Sequence, residues 1–501
     1  MVNIMTDTPK TPAFTFDNSY ARLPAHFFAP VSPEKAPSPK LIAFNQQLAE
    51  ELQLPLHAAD KQQLAAIFSG NQLPPDAEPL ALAYAGHQFG NFVPQLGDGR
   101  AVLLGEVIDK TGQRFDIQLK GSGRTPFSRQ GDGRAPLGPV LREYLLSEAM
   151  HALGVPSSRA LAAVSTGETV YREQALPGAV VTRVASSHIR FGTFQYFAAR
   201  GDAQSIRQLA DYVIERHYPT VGDEANAYMA LLEAVVAKQA ELVTKWMLLG
   251  FIHGVMNTDN MSVCGETIDY GPCAFMDSFH PDTVYSYIDQ ARRYAWKNQP
   301  AIAQWNLARF AETLLPLISD NEQEGIELAT NAVKAFNDQY QQYWRDGMRA
   351  KLGLQQAQEE DDTLIQNLLQ MMLDKRVDYT LFFRRLCDVA ESPDNSEPVS
   401  ELFPGSLQIT EWLQQWRQRS VDECVTDKER ARLMRRHNPA FVPRNHLVEQ
   451  AIQAAVNDQD FSLFERLLSV WQKPYDEQPV FEMYMQPPEP EEMVHQTFCG
   501  T

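Results

Sequence analysis

The chain lacks the features that would mark a membrane protein, a disulfide scaffold or a nucleic-acid binder. No run approaches the ~20 consecutive apolar residues of a membrane-spanning helix. Residues 1–10 have no charged-then-apolar signal pattern, and Asp7 and Asp17 weigh against an organellar leader, so the cytoplasm is the expected compartment. Cysteine is scarce. Cys264, Cys273, Cys387, Cys424 and Cys499 are the five in 501 residues, with no CxxC and no metal-ligand spacing, which suits a reducing environment. An excess of positive charge is also missing: 44 Lys and Arg face 63 Asp and Glu, a formal charge of −19. A sequence-independent grip on nucleic acid needs a basic surface, so the charge argues against that class and any phosphate must be met by a local basic cluster. No GxxxxGK[ST] occurs, which excludes a P-loop. Gly121-Ser122-Gly123-Arg124 is not a dinucleotide fingerprint either, because Pro126 intervenes and no helix opens directly after it.

What remains is a globular composition, 44% apolar and 21% charged, with length for two or three domains. Residues 1–40, rich in Pro, Ser and Thr, predict an extended N-terminal arm. Leu41, Phe44, Leu48 and Leu52 repeat at helical spacing. From Tyr84 onward, glycines fall among short apolar runs, a texture of hairpins, and Asp98-Gly99 reads as a two-residue turn. Residues 115–120 alternate as a strand ending at Lys120, and 137–153 have the apolar period of a helix that carries Glu143. Further short strands are expected at 160–164, 170–173 and 179–184. A long apolar helix over 228–249 leads to His253, and helices dominate beyond Asp277. This order predicts a β-rich lobe over 41–200, a helical lobe over 201–390 and a helical extension with an acidic tail over 391–501. That is an α+β class with a kinase-like bilobal arrangement and a nucleotide cleft between the lobes.

The organising stretch runs from His253 to Asn260 and continues at Ile268-Asp269-Tyr270-Gly271. The connector 261–267, with its Gly-Glu turn, reads as a tight hairpin that brings Asp259 and Asn260 near Asp269. Three oxygen-bearing side chains on one rim suit Mg²⁺ or Mn²⁺, hard cations that leave other positions to phosphate and water. The spacing resembles the kinase pattern H-R-D, four residues, Asn, then D-F-G. His253 and Asn260 keep that spacing, but Val255 stands where the catalytic base belongs and can take no proton. Asp259 could supply the missing carboxylate. His253 itself reads as structural, with no HExxH or partner His nearby.

Other elements follow the same order. Lys120 on a strand and Glu143 on the next helix match a phosphate-gripping lysine and the acid that aims it. The turns 95–100 and 130–134 each offer glycine amides and an arginine to phosphate, although each alone is first of all a hairpin turn. Arg183 and Arg190 bracket 184–189 and could clamp a phosphate; on spacing alone, surface ion pairs are an equal reading.

The runs Tyr84-Ala85-Gly86-His87-Gln88-Phe89-Gly90, Gln95-Leu96-Gly97-Asp98-Gly99-Arg100-Ala101, Leu119-Lys120-Gly121-Ser122-Gly123 and 253–260 with 268–272 together resemble the selenoprotein O (SelO) family, from about residue 15 to the C-terminus. The resemblance implies a kinase-like fold that transfers AMP from ATP, bound flipped relative to kinases, onto Ser, Thr or Tyr hydroxyls of protein substrates. It assigns Gly97, Gly99, Arg100, Lys120, Asp132, Gly133, Arg183 and Arg190 to the nucleotide, Asp259 to the base, Asn260 and Asp269 to Mg²⁺ or Mn²⁺, and Glu143 to orienting Lys120. Family members often carry a terminal Cys or selenocysteine, sometimes paired with a cysteine of the activation segment. Here those positions are Cys499 and Cys273, and a redox pair and a free tail thiol both remain open. The expected partners are ATP and protein substrates, with neither nucleic acid nor membrane, acting as a monomer. An ordinary phosphotransferase, a silent nucleotide-binding pseudokinase and a UTP-using nucleotidyltransferase are the competing readings.

Overall fold

The glycine-punctuated first part of the chain folds around one antiparallel sheet. In this computed structural model, residues 11–421 and 423–498 are described. Its strands are β1 (Phe28–Pro30), β2 (Lys40–Phe44), β3 (Leu80–Leu82), β6 (Ala101–Ile108), β7 (Arg114–Lys120), β8 (Ala135–Pro136), β9 (Arg159–Tyr171) and β10 (Ala175–Ala185), in the order β1-β3-β6-β7-β10-β9-β2 with β8 on β10. A separate hairpin pairs β4 (Gly86–Gln88) with β5 (Asn91–Val93). Strand alternation decides what the central strands present to the cleft. Ile117 and Leu119 of β7, with Val180 and Val184 of β10, pack into a core beneath the short helices α1 (Gln46–Glu51) and α2 (Lys61–Phe68). Gln118, Lys120 and Arg183 therefore face the other side.

Helix α3 (Leu137–Ala152) lies on that other side, against β9 and β10. It is buried almost all round, with Arg142, Glu143 and Glu148 among its buried residues, as a helix covered on both faces should be. Its far face is covered by α14 (Asn445–Asp458) and α15 (Ser462–Trp471), through Leu447, Val448, Phe464 and Leu467. Helices α4 (Phe191–Ala198), α5 (Ala203–His217), α6 (Ala227–Leu249), α7 (Gln299–Ile318) and α8 (Glu322–Leu352) form the helical lobe. Beyond them, α9 (Asp361–Lys375), α10 (Tyr379–Glu391), α11 (Glu397–Ser400), α12 (Gln408–Ser420) and α13 (Asp427–Arg435) lead to α14. The kinase-like α+β arrangement expected from the order of elements is present.

Several local expectations need correction. Leu41 and Phe44 sit on β2, so the helical spacing from Leu41 to Leu52 spans a strand and a separate short helix. Asp98-Gly99 does not close a hairpin. The hairpin lies at Phe89-Gly90, while the Asp98 carboxylate is buried and accepts from the Leu82 amide and the Gln118 carboxamide, at 3.1 Å each. The residues after position 10 are irregular but packed: Phe14, Tyr20 and Phe27 are buried, and β1 joins the sheet. The segment 261–267 closes with a single bridge, Met261 to Thr267. It cannot extend that ladder because Ser262 pairs with Arg190 and the Thr267 carbonyl accepts from the Ser158 amide. The wider clasp is β11 (Phe251–Ile252) on β12 (Ala274–Phe275), entered where Gly250 (φ 70°) caps α6 in the left-handed conformation.

Lys351, near the end of α8, is 3% exposed and has no carboxylate within ion-pair distance among the described residues; its ammonium lies 4.2 Å from the centre of the Phe383 ring. Burial lowers its pKa from 10.5 to about 7. The unfolded chain then binds the extra proton between pH 7 and 10.5, so stability rises with pH across that window and the full penalty is present below it. Lys351→Met should stabilise the protein by about 2–4 kcal/mol near pH 7, with a gain that shrinks toward pH 10. Denaturant unfolding of both proteins at pH 7 and pH 9.5 reads this directly, and a gain that grows with pH would contradict it.

Candidate functional site

Between the lobes lies a cleft of about 820 Å³. Eight cationic side chains line it, from Arg100, Lys120, Arg124, Arg129, Arg134, Arg172, Arg183 and Arg190, against four carboxylates, Asp98, Asp132, Asp259 and Asp269. In a chain of net charge −19 that concentration is the local basic cluster a polyphosphate needs.

At the inner end, two cations and two carboxylates share one volume. Lys120 Nζ is 2.7 Å from Glu143 Oε2 and 2.7 Å from Asp269 Oδ1. Arg183 Nε donates to Glu143 Oε1, and its Nη2 lies 3.1 Å from Asp269 Oδ1. Burial alone would raise the Glu143 and Asp269 pKa values, but Arg183 and Lys120 hold both below the usual carboxylate range. Burial, reinforced by Arg183, lowers Lys120. Glu143 is thus shared between Lys120 and Arg183, a partner not anticipated for it. Arg183 and Arg190 are not surface residues; each is 5% exposed. Arg190 Nη1 donates to the Asp259 carbonyl at 3.0 Å, its Nη2 stands 3.6 Å from Asp98, and its guanidinium covers the Tyr84 ring at 4.4 Å.

Asp259 is formed by a 3₁₀ turn, Thr258–Asn260, and is 7% exposed. Its Oδ2 accepts from Gln88 Nε2 at 3.3 Å, while Oδ1 is buried without a hydrogen-bond partner among the described residues. Burial pushes its pKa up to about 6, against the pull of Arg190. A carboxylate with an unused lone pair and a pKa near neutrality is equipped to take a proton. Gly86 makes the close fit possible, since a Cβ there would stand 2.7 Å from Asp259 Oδ1. Asn257 supports the turn by accepting from the Phe89 amide at 3.0 Å and the Tyr294 hydroxyl at 2.7 Å.

The two glycine-rich turns, far apart in sequence, form one wall. Thr125 Oγ1 donates to the Asp98 carbonyl at 2.6 Å and Ser128 Oγ to that of Gly99. Gly97 (φ 82°) presses on the Phe127 ring, and Gly133 (φ 69°) on the Gly123 carbonyl, where any Cβ would collide at 2.3 and 2.0 Å. Arg100 lines the same wall. Asp132 is engaged by Arg172 at 2.8 and 3.0 Å and accepts from the Arg134 amide at 2.9 Å, so its carboxylate orders the loop. Arg172, Gln88, Asn257 and Tyr84 were not singled out individually from sequence. Tyr84 and Gln88 lie inside the run Tyr84–Gly90, which was the available signal.

Asp269 adopts a left-handed backbone (φ 66°), a conformation that costs of order 1 kcal/mol outside glycine and persists only where the surroundings enforce it. Asn260 Nδ2 donates to the Val255 carbonyl at 3.0 Å, which leaves its Oδ1 for a ligand. Among the described residues no cluster of three His, Cys, Asp or Glu side chains could hold a metal alone. One carboxylate, one carboxamide oxygen and an adjacent phosphate-sized cleft fit Mg²⁺ or Mn²⁺, which take few protein ligands. His253 is structural: it is 1% exposed and its Nε2 lies 3.0 Å from the Ile268 carbonyl. Cys273 is fully buried behind the Asp269 loop, and burial raises its thiol to about 12. Cys499 lies outside the described residues, although Thr497 Oγ1, just before it, donates to the Pro272 carbonyl at 2.5 Å.

Comparison with known proteins identifies the chain's relatives. The family model described as "Protein adenylyltransferase SelO" matches residues 11–472. A "Protein nucleotidyltransferase YdiU" of Rhizobium rhizogenes is 59% identical, with 100% of both chains covered. One of Rhizobium meliloti is 60% identical over 98% of this chain and 100% of its own. A third, of Rhodopseudomonas palustris, is 56% identical over 98% and 100%.

Glu143 is the carboxylate on which Lys120 and Arg183 both rely, so Glu143→Gln leaves buried cations short of countercharge. The substitution should cost about 3–5 kcal/mol in the ligand-free protein, the range for breaking a buried pair from one side. ATP should restore part of the loss, because its phosphates offer the missing charge. Thermal melts with and without ATP should therefore show a larger ligand-induced shift in the variant than in the parent.

Proposed function

The chain belongs to the SelO family of protein adenylyltransferases, and from that membership we propose that it transfers AMP from ATP to Ser, Thr or Tyr hydroxyls of protein substrates. It is an enzyme of the nucleotidyltransferase type. The observation that carries the finer reading is where the charges lie. The base position of a kinase is Val255, the carboxylate able to take a proton is Asp259, and three buried cations that phosphate could draw from their carboxylate partners, Lys120, Arg183 and Arg190, stand at the inner end. Terminal phosphates are drawn to that inner charge, so the nucleotide lies flipped relative to kinases and the α-phosphate is the one presented to an incoming hydroxyl.

In this reading the Asp259 carboxylate accepts the hydroxyl proton as the oxygen attacks the α-phosphorus. The bond to the bridging oxygen breaks, and pyrophosphate leaves with its charge held by Lys120, Arg183 and Arg190. Gln88 and Arg190 fix Asp259, the first through Oδ2 and the second through the backbone carbonyl. The glycine walls around Gly97, Gly99 and Gly133, with Arg100 and the Asp132–Arg172 pair, enclose the nucleotide. Asn260 and Asp269 are the residues that would hold Mg²⁺ or Mn²⁺, which neutralises phosphate charge. Positioning and fixed charge supply most of the acceleration, as in phosphoryl transfer generally. A UTP-using enzyme is the second reading, favoured by one fact: the relatives' names specify a nucleotidyl group and not an adenylyl group.

Incubation with Mg²⁺ or Mn²⁺ and ATP labelled at the α- or γ-phosphate tests the core of this. Label should enter protein only from the α-position, and γ-label in the product would return the site to the kinases. Competition by UTP separates the second reading. Asp259→Asn should lower turnover by about 10²–10⁴-fold, the usual worth of a general base, with ATP affinity nearly unchanged.

Arg183→Ala should weaken ATP by roughly ten- to a hundredfold, as loss of a charge-assisted contact would. AMP should be much less affected. Titration calorimetry with both ligands measures the difference, and equal losses would remove Arg183 from the terminal phosphates.

A further inference from the structure

Next to Glu143 on α3, Arg142 turns away from the Lys120 cluster and joins the Asp269 loop to the C-terminal extension. It is 3% exposed. Its Nε donates to the Gly271 carbonyl at 3.0 Å and its Nη2 to the Cys273 carbonyl, so it grips the loop that carries Asp269. The same Nη2 donates to Asn445 Oδ1 at 2.7 Å, and Nη1 lies 3.1 Å from Glu449 Oε1, both on α14 of the C-terminal extension. Beside it, Arg444 ties the start of α14 to Asp277 at 2.6 Å and to Asp378 at 2.8 Å. Helix and extension are in close contact as well: a Cβ on Gly138 would meet Ile452 at 3.0 Å.

We propose that Arg142, oriented by Asn445 and Glu449, is a positioning residue for nucleotidyl transfer: it sets the backbone of the Asp269 loop, so that the C-terminal extension acts as a built-in activator of the metal-binding end of the site. The proposal rests on the function given above. Asp269 has a left-handed backbone that its surroundings must impose, and its side-chain bonds to Lys120 and Arg183 both go to Oδ1. The backbone carbonyls that follow it, at Gly271 and Cys273, have Arg142 as their donor. A guanidinium has the planar fork to serve two carbonyls and two side chains at once, which an ammonium has not. In kinases the helix that carries the acid and the loop that carries the metal-binding Asp must both be in place before transfer. Here one side chain joins the two directly, and the extension fixes that side chain.

The test compares Arg142→Met, Arg142→Lys and the paired variant Asn445→Ala/Glu449→Gln with the parent, all as full chains. Three quantities are read: Mn²⁺ affinity of the ATP complex by electron paramagnetic resonance, amide hydrogen exchange of residues 270–273 without metal, and kcat and KM for AMP transfer. Arg142→Met should weaken Mn²⁺ by about 10–100-fold, the usual cost of losing a group that orients a metal ligand, and lower kcat by a similar factor. KM for the protein substrate should stay within about twofold, since Arg142 does not reach the cleft surface, and Lys should rescue little. The paired variant should move Mn²⁺ affinity and exchange in the same direction by a smaller factor. If Mn²⁺ affinity, exchange and kcat all hold within about twofold in Arg142→Met, the proposal is overturned. Should that variant lose its cooperative melt, the paired variant decides by the same criterion. A parent that binds Mn²⁺ and ATP, responds to the variants as described, yet transfers no AMP would overturn the functional reading while leaving the positioning role standing.

Discussion

Two buried carboxylates and two buried cations, Glu143 and Asp269 with Lys120 and Arg183, set the terms for the rest of the protein. Each would be costly to bury alone, and each is tolerated only because the others neutralise it. The four come from four separate elements, a strand, a helix, a second strand and the loop after β11. The sheet must bring β7 beside β10, α3 must lie on their cleft side, and the loop must close over the end. Without phosphate, the cluster satisfies itself; with phosphate, Lys120 and Arg183 can exchange part of their internal countercharge for the ligand's. That exchange lets an acidic chain keep phosphate-binding cations buried without leaving them unpaired.

The same electrostatic logic separates Asp259 from Asp269, though both are buried. Asp269 has two cations against its carboxylate and stays ionised well into acid. Asp259 has only the more distant pull of Arg190 and one neutral hydrogen bond from Gln88, so burial dominates and its pKa climbs. Two aspartates in one cleft are thereby set for two tasks, one to hold charge and one to exchange a proton.

What could be read from sequence followed from periodicity and local spacing. Residues 137–153 and 228–249 announced α3 and α6 through apolar repeats, and Lys120 closed an alternating strand. The pairing of Lys120 with Glu143 needed only their order. Arg183 was ambiguous on spacing alone, because its burial depends on β10 lying beside β7, a long-range fact that no local window contains. Asp98-Gly99 misled for a related reason. Its turn chemistry is sound, but the buried Asp98 carboxylate is claimed by Leu82 and Gln118, and tertiary contacts overrode the local preference. Arg142 lay one residue from a predicted site and carried no signal, since its four partners are scattered between positions 271 and 449.

The double covering of α3 has a consequence for how the protein is made. The bond from Arg142 to Glu449 spans 307 residues, and the sheet-facing half of the helix finds its partners far sooner than the outer half. At translation rates of ~5–20 residues per second, the outer apolar face waits on the order of 15–60 s for α14 and α15 to emerge. During that interval the lobe that grips nucleotide can be complete while the helix bearing Glu143 is covered on one side only. A chain that stops short of α14 keeps the strands and turns of the phosphate-binding walls but leaves the outer apolar face of α3 open to water.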